Sequence, residues 1–228
     1  MISLTRSATK KAPKFQIAIE GSITRRYNFG LNSPLDKVFR VNQRIFNFHQ
    51  RLVEATISMS DSSASEILNA AQMISSSLLH GHTIFTCGID GPASLLGQLF
   101  SYNLAVGTQI ERPGFPALSL NQLCQNRLGE NRFADALFTH GNQSDLLLII
   151  SRGGSHPALL KTADAAVERD IKILLISHKD DTILAEKLSY KDLRIDMSDY
   201  EDTVISVLHL QMLECLSELI DSIILGGK

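Results

Sequence analysis

Apolar residues along this chain recur at two different spacings, and the change from one to the other marks where its elements begin. From Leu35 to about Met59, Val38, Val41, Ile45, Phe48 and Leu52 repeat at three- and four-residue steps, the signature of one helix face. Asp61 or Ser62 stands where a second helix needs its cap. That helix carries Ile67, Ala70, Ala71, Ile74, Leu78 and Leu79 and is stopped by Gly81. Beyond it, short unbroken apolar runs take over. His82–Cys87, Pro116–Leu120, Asp145–Ser151, Ile171–Ser177 and Leu193–Met197 read as strands. The third of these, DLLLIIS, is apolar on both faces, as central parallel strands are. Helical stretches separate them. One runs from Pro92, a residue suited to the first turn, to about Val106. Others are broken pieces over 121–140, Ser155–Asp170, the short Thr182–Leu188 and a long final helix, Asp199–Leu225. Before residue 37 only Phe15–Ile23 alternates, weakly, as a short strand would.

Five strands alternating with helices predict an α/β fold in three layers: a five-stranded parallel sheet flanked by helices, with right-handed crossovers, plus N-terminal helices. The chain divides into a basic N-terminal arm, residues 1–36, and a folded domain, residues 37–228. Sheets of this kind bind ligands outside the carboxyl ends of their strands, at the switch in strand order. Candidate chemistry therefore belongs to the loops 88–94, 151–156, 177–182 and 197–201.

Charge refines this picture. The net charge of −2 gives no global pull toward nucleic acid or an anionic membrane, and direct binding to either is not expected. Residues 1–40, however, hold eight Lys/Arg, among them Lys10, Lys11 and Lys14, against two acids, while the remainder holds 14 against 22. A basic arm on an acidic body suits a solvated tail, an acidic partner or the body itself. Cys87, Cys124 and Cys215 are far apart and odd in number, so no disulfide framework or zinc knuckle is expected. No apolar run is long enough for a signal peptide or membrane span, and a reduced, cytoplasmic setting follows.

The segment Ser151-Arg152-Gly153-Gly154-Ser155-His156 is the richest in chemistry. A buried strand feeds a turn of small residues that opens a helix. Glycines let backbone approach an anion, the helix start supplies N–H groups, the serines add hydroxyls and Arg152 a cationic fork. Taken alone, the segment is equally an ordinary tight turn with a Ser cap. Gly88, Gly91 and Ser94, in CGIDGPAS, form the facing wall.

These segments resemble the SIS-domain family, in particular the phosphoheptose isomerases and the DnaA initiator-associating proteins. The family's first loop, CGNG(G/T)S, corresponds to residues 87–94. Its ERP(G/S)(Y/F)PA stretch corresponds to Glu111–Ala117, its DVLL-IS motif to Asp145–Ser155, and LIDS to Leu219–Ser222. The resemblance covers roughly residues 38–228 and implies phosphosugar binding through Ser151, Arg152, Gly153, Gly154, Ser155, Gly88 and Ser94. It also implies a homotetramer.

Departures from the family pattern fall on catalysis. The isomerases' metal-binding His and catalytic Glu, in HFxxE, correspond to Leu99 and Asn103. The Gln and final His of QExHxxxxH correspond to Ser206 and Glu214, with His209 at the intervening His. Leu binds no zinc, and an amide takes up no proton near neutral pH. No metal site and no cofactor are therefore expected, and Glu214 is the one weak catalytic candidate. The expectation is a non-catalytic phosphosugar-binding protein that acts through partners such as the replication initiator. The alternative is a sedoheptulose 7-phosphate isomerase with an altered active site. His209 reads as a satisfied interface histidine. Helices 38–59 and 199–225 are the expected tetramer contacts, and the apolar terminus at Ile224 and Leu225 is the expected docking patch.

Overall fold

A computed structural model describes residues 4–6, 15–17, 34–89, 91–107 and 111–226. Lys10, Lys11, Lys14 and Asp90 lie outside the described residues. The chain forms two compact units, Met1–Arg51 and Leu52–Lys228. In the first, β1 (Leu4–Arg6) pairs antiparallel with β2 (Phe15–Ile17). Helix α1 (Pro34–Ser62) begins in this unit and ends in the second. It runs through Asp61 and Ser62, so neither caps the next helix; the N-cap of α2 (Ala64–Leu79) is Ser63.

The second unit is built on β3 (Ile84–Gly88), β4 (Ala117–Ser119), β5 (Leu146–Ile150), β6 (Lys172–Ser177) and β7 (Leu193–Asp196). All pair in parallel in the order β4-β3-β5-β6-β7, as the alternation of strands and helices predicts. Every residue of β3 and β5 is buried, because helices cover both faces. The Asp145 carboxylate accepts from Thr83 N at 2.8 Å and ties the start of β5 to β3.

One face carries α2, α3 (Gly91–Val106) and α8 (Ile205–Leu225), with α8 packed against both α2 and α3. Thr86 of β3 anchors α3 there, its hydroxyl donating to Gly97 O at 2.8 Å. The other face turns Phe85, Leu147, Ile149, Ile173 and Leu175 into a core closed by α4 (Leu120–Leu123), α5 (Arg132–His140), α6 (Pro157–Glu168) and α7 (Thr182–Ala185).

Two helix starts differ from the sequence reading for clear local reasons. The last helix starts at Ile205, because residues 198–204 turn and bury Tyr200. Helix α6 starts at Pro157, because Ser155 sits at φ 42, outside helical geometry. Among the described residues no helix is long and apolar enough to cross a membrane.

Candidate functional site

The chain leaves β3 toward β4 on one side, while β5 pairs on the other, so the strand order reverses at the β3–β5 boundary. A crevice is expected at such a point. Ile89 and Ala93 after β3, and Ser151, Arg152, Gly153 and His156 after β5, line a cavity of about 250 Å³. Gly88 shapes its wall: a Cβ there would lie 2.6 Å from the Ala93 carbonyl carbon, so only glycine lets the loop close on α3. Ser94 lies elsewhere. It lines a second cavity of about 400 Å³ that also reaches Ile89, and its hydroxyl accepts from Gln98 Nε2 at 3.1 Å.

The Ser151–His156 loop is organised from beneath by a carboxylate that the sequence motif does not contain. Asp181, at the start of α7, is buried. Its Oδ1 accepts from the Ser151 hydroxyl at 2.8 Å and from Ser155 N at 3.2 Å, and its Oδ2 from His178 N at 3.1 Å. Ser151 Oγ in turn accepts from Gly153 N at 3.2 Å, and Ser155 Oγ donates to Asp180 O at 3.2 Å. Both serines thus hold the loop in shape. Gly153, at φ 106, passes so close to the neighbouring loop that a Cβ would meet Lys179 O at 2.1 Å.

The helix start contributes less than its position promises. Pro157 has no N–H, and the N–H groups of Ala158 and Leu159 already donate to His156 Nδ1 and His156 O. The backbone N–H groups of Gly154 and His156 have no acceptor among the described residues. They are the donors that an anion beside Arg152 would meet.

On the α3–α8 face, two of the positions likened above to the isomerases' catalytic set, Asn103 and Glu214, come together. Asn103 Nδ2 donates to Glu214 Oε1 at 3.1 Å, bridging α3 and α8. Leu99, one helical turn before Asn103, is 39% exposed. Among the described residues no three His, Cys, Asp or Glu side chains come together as a metal site would require.

Nearby, His178 places Nδ1 2.8 Å from Met197 O and Nε2 2.8 Å from Asp202 Oδ1. His209 differs from the satisfied interface histidine expected from sequence. It is buried within the domain, and neither ring nitrogen has a hydrogen-bond partner among the described residues. Leu216 is likewise wholly buried in the domain, so the inner face of α8 is used up within the chain. At the helix end Ile224 is half-buried and Leu225 exposed.

The ERP and LIDS segments meet. Arg112 Nε donates to Asp221 Oδ1 at 2.7 Å, with both side chains almost wholly buried. Arg112 Nη1 also donates to Leu104 O at 2.9 Å, and the guanidinium lies 3.9 Å over the Phe115 ring. The chain matches the SIS domain family over residues 47–177. It belongs to the SIS-domain family. It is 32% identical to the DnaA initiator-associating protein DiaA of Photorhabdus laumondii over 75% of this chain and 90% of that one. A second DiaA, from Klebsiella pneumoniae, is 29% identical over the same shares. Among solved structures, a phosphoheptose isomerase from Francisella tularensis superposes with a TM-score of 0.73 at 23% identity, covering 80% of this chain and 98% of the other. The SIS domain match spans the motifs at residues 87–94 and 111–117.

Proposed function

We propose that this SIS-domain protein binds a phosphorylated sugar without isomerising it and acts through a protein partner. The Asn103–Glu214 pair carries this reading. An aldose–ketose isomerase needs a base of suitable pKa within reach of the proton it moves. Here the position that would supply it is an amide, and the nearby carboxylate is engaged with that amide. The phosphate would sit against Arg152 and the N–H groups of Gly154 and His156, with Ser151 and Ser155 fixing the loop and Gly88 shaping the wall, while Ser94 would meet the ligand only from the second cavity.

The DiaA relatives are named for association with DnaA, and a replication initiator is accordingly the partner class for this chain. Self-association brings several copies of one weak surface to such a partner and raises avidity. Leu95, Leu99, Tyr102 and Val106 form one exposed apolar stripe on α3 and suit contacts between copies in a tetramer. The docking surface would include Ile224 and Leu225. We expect sedoheptulose 7-phosphate to be recovered unchanged after prolonged incubation. We also expect the initiator from the same cell to bind the wild type and to bind Ile224→Ala/Leu225→Ala about tenfold more weakly. Aldose product at enzyme-like rates, or equal binding by the variant, would overturn the corresponding half of the proposal.

A further inference from the structure

The two cavities at the strand ends differ in lining, and that difference bears on which sugar phosphate the loop takes. At about 250 Å³, the cavity beside Arg152 is smaller than the roughly 300 Å³ at which small-ligand pockets begin. Ile89 lines both cavities, so a ligand too large for the first has the second beside it.

The second cavity, of about 400 Å³, is lined by Gln98, Asn121, Gln122 and Gln125 and by Arg127 and Arg132. Among the described residues, no carboxylate lines it. Asn121 is fixed by a two-way bond to Gly88, donating to its O at 2.7 Å and accepting from its N at 3.1 Å. Arg132 is held by Gly129 O at 2.9 Å and lies 4.5 Å over the Phe133 ring, which spends one of its five N–H donors and leaves the fork oriented. Burial raises the pKa of the Cys124 thiol in the same wall, with Asp135, outside the lining, acting in the same direction and both guanidinium groups opposing it.

Amides that donate to hydroxyls, followed by two cations, match a polyhydroxy chain ending in negative charge. We infer that the ligand is a sugar phosphate with a second anionic group at its far end, a phosphate or a carboxylate, held by Arg127 and Arg132. This rests on the phosphosugar reading of the Ser151–His156 loop and specifies its ligand class.

The test is calorimetric titration of the full chain with two matched pairs: fructose 6-phosphate against fructose 1,6-bisphosphate, and glucose 6-phosphate against 6-phosphogluconate. At least one doubly anionic probe should bind about tenfold more tightly than its partner, the gain of a charge-assisted hydrogen bond. The pair that shows the preference identifies the second anion. Arg127→Gln/Arg132→Gln should abolish the preference and leave the single-phosphate affinities unchanged. Arg127→Gln alone, at an exposed position, should lose part of it and guards against a folding effect of the double variant. Equal affinities within both pairs, or a preference that survives in the double variant, would overturn the inference and leave the phosphosugar reading standing. No binding of any probe would overturn both.

Discussion

His209 has no exposed surface, and both its ring nitrogens lack a hydrogen-bond partner among the described residues. Burial, followed by the charges of His178 and Arg152, lowers its pKa from 6.5 to about 3. The unfolded chain takes up this proton near pH 6.5, while the folded chain resists it down to about pH 3. The ionisation of the group therefore costs the fold nothing above pH 6.5. It destabilises the fold progressively as pH falls through that window, by about 1.4 kcal/mol per pH unit. Urea midpoints should fall between pH 7.5 and pH 5. His209→Leu, which replaces the ring with an apolar group of similar size, should flatten that dependence. An unchanged slope in the variant would assign the pH sensitivity to other groups. The lowered carboxylates Asp196 and Asp202 matter only at more acid pH, below their ordinary range. The His209 environment was not legible in the sequence. A lone histidine on an apolar helix reads as satisfied, and its isolation depends on which neighbours turn away. Asp181 was hidden for a related reason. It is 30 residues from the Ser151 it holds, and only the strand-end rule drew attention to its loop.

At the level of elements, the strands were the most legible, because continuous apolar runs such as Leu146–Ile150 have no other stable place than between two helical layers. Helix boundaries were less so. Capping residues occur at several adjacent positions, and the backbone chose Ser63 over Asp61, and His156 over Ser155. The joint between α3, α8 and the ERP segment is held by the Arg112–Asp221 pair. Removing one partner strands a buried charge, at a cost of about 3–5 kcal/mol. Asp221→Ala should therefore lower the melting temperature by roughly 10 °C. Arg112→Met/Asp221→Leu, which removes both charges, should recover much of the loss. Calorimetry that finds Asp221→Ala melting with the wild type would show that the pair does not hold these elements together. The same joint places Asn103 beside Glu214, because Arg112 also donates from Nη2 to Asn103 O at 3.4 Å. Motifs that mark the family thus serve the frame, and the substituted positions sit within it.

At the scale of the whole molecule, the structure sets a crevice at the strand ends on one side of the sheet and an amide–carboxylate pair between α3 and α8 on the other. The sheet order puts β3 and β5 side by side, and their loops enclose the cavity at Arg152. On the α3–α8 side Asn103 bonds to Glu214, and under the proposed function Leu99 and Asn103 stand where the isomerases carry a metal-binding His and a catalytic Glu. Binding and turnover are therefore separable, and measuring both on one sample tests the account most directly. Sedoheptulose 7-phosphate is titrated calorimetrically into the wild type and into Arg152→Ala, and the sugar recovered from each cell is then identified by NMR. We predict saturable binding by the wild type, binding about tenfold weaker by the variant, as a lost charged hydrogen bond requires, and unchanged sugar from both cells. Isomerised sugar from the wild-type cell, or equal affinity in the variant, would contradict the account.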